Sequence, residues 1–360
     1  MNKRRKVIVI IASALASTTV SYFGFGLILT SIIADNFINK RYSDISALET
    51  DPFYHIQKVR TDFPSLNERE EIIFKCNGEN LVGYFYEAPN PKGVIVFAHG
   101  VNNLADGNHA QMHNYFLNQD YDVFAIDMTG CGRSGGKGMK TLQESRYCVR
   151  NAVKTVQNME KTKDLPLFLI GHSWGGYGVV SATEDIQGVK AVVSMSGYNT
   201  PSEMLYGFAE NNTSKAVIIA KPTINFSLAT LYGDDSFFSA ETAIKHNPDL
   251  PYVIIQGGKD TTVPLVKYSI YDHVVRDNYN NVTTIKLDDM FHGTPWKTMT
   301  AVNYMVQIES DLKDLKKQYK NNIPTDVYNE FIASIDKEKS SEVNTELLGQ
   351  IDMMFTSYAN

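Results

Sequence analysis

Residues 167–180 read LFLIGHSWGGYGVV. An apolar run of strand length stops on a cluster of small residues around one serine, and a second apolar run follows at once. A buried strand that ends this way must turn sharply into the next element. In the frame Gly171-His172-Ser173-Trp174-Gly175, a side chain at 171 or 175 would meet the neighbouring strand and helix. The turn lifts the serine hydroxyl above the sheet and points the positive end of the following helix at whatever lies beside it. The pattern marks Ser173 as a nucleophile.

The flanks agree with that placement. EIIFKC, NGEN and LVGYFYEA read as two strands around a turn at Asn77-Gly78. GVIVFAHG, YDVFAIDM, LFLIGHS, KAVVSMSG, YVIIQGG and VTTIKLDD then read as strands, with helices expected at 104–119, 141–160 and 174–186. Near-continuous apolar strands separated by helices predict a mostly parallel sheet covered on both faces, an α/β fold. Ligands in such sheets bind at the carboxyl ends of the strands, where Ser173 falls.

A serine hydroxyl needs a base, and the base needs an acid to orient it. Chain order in this architecture runs serine, acid, histidine. Of the eight histidines, His246, His273 and His292 follow Ser173. His246 sits in the polar turn KHNPD and His273 in the helical stretch IYDHVVRD. His292, in DDMFHGTPW just after the last strand, is the expected base. The acid is expected in GGKDTTVP after YVIIQGG, which offers Asp260. Asp288 and Asp289 are the rivals, too near His292 in sequence to be the expected partner but placed to help locally. Two backbone N–H groups are expected to receive the negative oxygen of a transition state, those of Trp174 and of Val101, the latter in the loop after GVIVFAHG. His99 in that loop reads as a structural histidine.

FAHG, DMTGCGRSGG, GHSWGG, GGKDTTVP and FHG, in that order, resemble the α/β-hydrolase superfamily over about residues 71–300. The similarity is to its monoacylglycerol lipase-like and serine aminopeptidase-like bacterial branch. The resemblance implies the α/β-hydrolase fold, a Ser173–Asp260–His292 triad, and Val101 and Trp174 as oxyanion donors. It implies that residues 198–250, rich in aromatic and aliphatic side chains, form a cap over the active site. One departure stands out. The family's loop after the fourth strand often carries arginine where this chain has Thr129.

The apolar cap suits an acyl or aromatic ester, including a lysophospholipid-like one. A peptidase would need acidic groups for a substrate ammonium, and Glu203 and Glu210 are available. A third reading is a membrane-tethered binding protein that keeps the fold without the chemistry.

Composition excludes several classes. The formal charge of −6 offers no basic surface for nucleic acid. Cys76, Cys131 and Cys148 sit at no metal-ligand spacing, and their odd number excludes a complete disulfide framework. They read as small buried hydrophobes. With no phosphate loop or metal-ligand cluster, no cofactor and no metal is expected. The oligomeric state is unspecified.

MNKRRK at residues 1–6 precedes an uncharged stretch at 7–33. At about 1.5 Å per residue a helix of that length exceeds a hydrocarbon core of about 30 Å. The expectation is an uncleaved anchor at 1–34, with its basic end in the cytoplasm and the catalytic domain outside. A tether (35–70), a catalytic domain (71–320) and a helical extension (321–360) follow. In the last, Leu348, Ile351, Phe355 and Tyr358 form an apolar stripe.

Overall fold

The computed structural model describes residues 55–212 and 217–359, together with 17, 20–24, 26–28, 30, 31 and 40–42. The strands are β1 (Glu70–Cys76), β2 (Glu79–Tyr86), β3 (Gly93–Ala98), β4 (Tyr121–Asp127), β5 (Leu167–His172), β6 (Val189–Met195), β7 (Tyr252–Gly257) and β8 (Val282–Leu287). They form one eight-stranded sheet in the order β1-β2-β4-β3-β5-β6-β7-β8. β1 and β2 pair antiparallel, as do β2 and β4, and every later pairing is parallel. Asn77 (φ 45°) and Gly78 (φ 84°) close the first hairpin. Two successive left-handed residues match the right-handed twist of the strands they join.

The α-helices are α1 (Ala110–Leu117), α2 (Glu144–Asn158), α3 (Trp174–Ser181), α4 (Pro201–Asn212), α5 (Val217–Tyr232), α6 (Ala240–His246), α7 (Ile270–Asp277), α8 (Met299–Gln318), α9 (Thr325–Ala333), α10 (Lys337–Ser340) and α11 (Thr345–Tyr358). Strand residues alternate between two cores, which is why the central strands are apolar throughout. Val94 and Val96 face one side with Val149, Val153 and Trp174, from α2 and α3. Ile95 and Phe97 face the other with Met112 and Phe116 of α1.

That second core is completed from the far end of the chain. Leu347, Leu348, Ile351 and Phe355 of α11 are buried in it, and the Phe355 ring stacks on Phe168 of β5 at 4.3 Å. Of the stripe expected in the extension, Leu348, Ile351 and Phe355 therefore cover the central sheet, whereas Tyr358 is exposed. Upstream, Ile56 is buried against Met305 and Ile308 of α8, so the chain just before the sheet is pinned to the body.

Residues 198–250, the segment expected to form a cap, contain α4, α5 and α6. Leu205, Tyr206, Ile224 and Leu228 are buried against the body, whereas Phe226 and Leu231 are exposed. The anchor expected over residues 7–33 lies largely outside the described residues. Among those described, no helix is long and apolar enough to cross a membrane.

Candidate active site

Ser173 sits between the end of β5 and the start of α3 with φ 55° and ψ −111°. A non-glycine residue in that region is strained, and the surroundings must hold it there. They do so by close approach. A Cβ at Gly171 would lie 2.2 Å from the Gly175 carbonyl oxygen, and one at Gly175 would lie 2.0 Å from that of Ala98. The Ser173 N–H donates to the Met195 carbonyl at 2.8 Å, and Gly175 N–H donates to that of His99 at 3.0 Å. Trp174 is fixed by its indole N–H, which donates to the Leu142 carbonyl at 2.8 Å.

The carboxyl ends of β7 and β8 bring in the partners. His292 Nε2 lies 2.8 Å from Ser173 Oγ, across 119 residues of chain. Its Nδ1 lies 2.8 Å from Asp260 Oδ2. An ionised carboxylate only accepts, so Nδ1 carries the proton and Nε2 presents its lone pair to the serine hydroxyl. The Asp260 side chain has no exposed surface. Its Oδ1 accepts from the N–H groups of Thr262 (2.9 Å) and Val263 (2.8 Å), and its Oδ2 also accepts from Gln256 Nε2 at 2.9 Å. A buried carboxylate with that many donors is locked in one orientation.

The loop carrying Val101 lies against Ser173, since a Cβ on Gly100 would fall 3.3 Å from Ser173 Cβ. Among the described residues, neither the Val101 nor the Trp174 N–H has an acceptor. His99 is tied into its own loop. Its Nε2 accepts from the Met128 N–H at 3.2 Å, so Nδ1 donates to the Gly100 carbonyl at 2.7 Å.

The rival residues lie elsewhere. His246 pairs with Glu184 and His273 with Glu203 and Glu241. Asp288 pairs with Lys286 and Asp289 with Lys259. A cavity of 580 Å³ borders His292, with Thr262, Phe291, Val302 and Met305 in its wall.

Sequence reasoning passed over His172, which occupies a variable position of the glycine-serine frame. Its Nε2 lies 2.8 Å from the backbone carbonyl of His292. His109 Nε2 stands 3.4 Å from the other ring nitrogen of His172. Burial lowers the pKa of His172 to about 3 and of His113 to about 3, and pushes His99 and His109 down as well. These imidazoles are neutral in the folded protein.

Sequence and fold are both similar to those of known proteins. Residues 89–215 match the family described as "Serine aminopeptidase, S33". Human monoglyceride lipase is 32% identical over 103 residues, which cover 28% of this chain and 33% of the lipase. A proline iminopeptidase of Lactobacillus delbrueckii subsp. bulgaricus is 26% identical over 172 residues, 43% of this chain and 58% of that one. The chain thus spans less than two thirds of either relative. An esterase of Pyrococcus furiosus superposes with a TM-score of 0.52 at 17% identity, over 73% of this chain and 96% of its own, which speaks to fold alone. Sheet order, the sharp turn at Ser173 and sequence similarity converge on the α/β-hydrolase fold, and the matched residues resemble that superfamily.

Proposed function

We propose that the protein is a serine hydrolase of carboxylic esters, with Ser173 as nucleophile, His292 as general base and Asp260 as its orienting acid. The observation that carries this reading is the unbroken chain of two 2.8 Å contacts from Asp260 through His292 to Ser173. Ser173 Oγ attacks the ester carbonyl while His292 Nε2 takes its proton. The Val101 and Trp174 N–H groups receive the developing oxyanion. The imidazolium returns the proton to the leaving alcohol, which departs on the His292 side toward the bordering cavity. Water, activated by the same imidazole, then releases the acid from the acyl-enzyme.

Similarity to a monoglyceride lipase supports the ester reading. The family match and the iminopeptidase keep a peptidase as the second reading. The acidic groups available to hold a substrate ammonium are already engaged. Glu210 accepts from Lys267 and Tyr268, and Glu203 faces His273 and Thr200. A panel of p-nitrophenyl acyl esters and aminoacyl anilides separates the two. The ester reading requires kcat/KM for the best ester to exceed that for every anilide, and faster anilide turnover overturns it. An acyl ester with an apolar chain, lysophospholipid-like or simpler, is the substrate class the apolar cap favours. A non-catalytic, membrane-tethered binding protein is the reading to which failure of both substrate sets would point.

The uncharged stretch at 7–33 behind a basic hexapeptide supports a single-pass anchor with the catalytic domain outside the cytoplasm. Cell fractionation with intact-mass determination tests it. The full-length chain belongs in the membrane fraction, and a soluble form starting near residue 17 overturns the anchor.

A further inference from the structure

The threonine at 129 leads to a second cluster, remote in sequence from the serine. Thr129 Oγ1 donates to Glu144 Oε1 at 3.0 Å and lies 3.3 Å from Cys148 Sγ. Cys76, the last residue of β1, brings its Sγ to 4.0 Å from the same Glu144 oxygen. Glu144 and Cys148 are four residues apart at the start of α2, so they share one helix face. All three side chains are shielded from solvent, with exposures of 2% for Cys76, 3% for Glu144 and 0% for Cys148.

A carboxylate that deep in a protein needs hydrogen-bond donors or a compensating cation. Among the described residues no lysine, arginine or histidine lies within ion-pair distance of Glu144. Its other oxygen accepts from the Asn77 side-chain amide at 3.0 Å, which orients it without neutralising it. What surrounds it instead is sulfur. The ligand atoms of Cys76, Glu144 and Cys148 all lie within 4.8 Å of one another. A tetrahedral zinc ion with S at about 2.3 Å and O at about 2.0 Å needs ligand–ligand edges of roughly 3.5–3.8 Å. The present separations are at most 4.8 Å.

We propose that Cys76, Cys148 and Glu144 bind a zinc-like divalent cation, which fastens the β1–β2 hairpin to α2. Binding breaks both S–H bonds, forms two S–metal bonds and one O–metal bond, and releases two protons to solvent. No electron is transferred. The Thr129 hydroxyl is placed to complete the coordination, and Asn77 holds the carboxylate from outside. Two thiolates select against magnesium and calcium, which take oxygen ligands. Cys131 lies outside the cluster.

The test is zinc content by mass spectrometry of the full-length, untagged protein, purified in detergent from zinc-supplemented cells. About one zinc per chain is expected, falling below about a tenth in Cys76→Ser/Cys148→Ser. Cobalt substitution of the wild type should give a thiolate-to-cobalt charge-transfer band. Because the double variant removes core side chains, chelation of the wild type serves as the control for folding. Its melting temperature should drop on chelation and recover on adding zinc back. Equal zinc in wild type and variant overturns the site. So does an intact mass two hydrogens light with Cys76 and Cys148 joined as a disulfide, or a melting temperature indifferent to chelator.

Discussion

The ring of His172 donates from Nε2 to the backbone carbonyl of His292 at 2.8 Å. The side chain before the proposed nucleophile thus holds the main chain of the proposed base. A carbonyl can only accept, so Nε2 carries the proton and Nδ1 is left to accept from His109 Nε2 at 3.4 Å. Removing the donor takes that partner from the carbonyl and loosens the His292 loop. His172→Phe is expected to lower kcat by about 10- to 100-fold, from a loss of about 1–3 kcal/mol. KM should change little, and His172→Gln, which restores an N–H donor, should recover part of the rate. An unchanged kcat in His172→Phe, or loss in KM alone, contradicts the positioning role.

Asp260→Asn tests the orientation of the imidazole. The Thr262 and Val263 N–H groups donate to Oδ1, so they favour the amide oxygen there and turn the NH2 toward His292. Nδ1 must then accept, and the ring proton moves to Nε2, facing the serine with no lone pair. The expected loss in kcat is about 10⁴, with the fold retained. A loss under about 10-fold would mean that Asp260 does not set the tautomer.

Gly175→Ala addresses the turn itself. The added methyl would lie 2.0 Å from the Ala98 oxygen, a backbone atom that cannot swing aside. The cost is expected at about 1–3 kcal/mol or more, read as a lower urea midpoint at unchanged slope. A midpoint equal to wild type would show that the turn does not need glycine there.

The buried histidines make the fold acid-labile. His99, His109, His113 and His172 all have folded-state pKa values below the unfolded value of about 6.5. Below that pH the unfolded chain binds protons that the folded protein refuses, so stability falls as pH falls. Lys297, lowered by burial to about 7, acts with the same sign at higher pH. Between about 7 and about 10.5 the unfolded state holds a proton the folded one lacks, so stability rises with pH there. Melting temperature should drop steeply between about pH 6.5 and about pH 4, and His113→Phe should flatten that slope. A melting temperature level across that window would contradict the neutral cluster.

Much of this was legible in the chain because the constraints are local. Gly171 and Gly175 flank a strained serine, and an apolar strand must precede it for the turn to make sense. Asp260 and His292 follow from chain order along a parallel sheet, whose connections are forced. What stayed hidden depends on contacts across distant segments. The stripe of Leu348, Ile351 and Phe355 announces a buried face, but nothing local says that Phe168 receives it. His172 reads as a spacer, because its value lies in a carbonyl 120 residues away. Cys76 and Glu144 are 68 residues apart, a separation that no ligand-spacing rule detects.

Labelling with a fluorophosphonate, followed by peptide mapping, tests the central claim most directly. An oxygen activated by His292 reacts with the reagent, whereas an ordinary serine does not. The account predicts a single adduct on Ser173, and no adduct in Ser173→Ala. That variant should remain folded and lose on the order of 10⁵–10⁶ in kcat. Absence of labelling in the folded wild-type protein, or more than about a tenth of wild-type ester hydrolysis in Ser173→Ala, would contradict it.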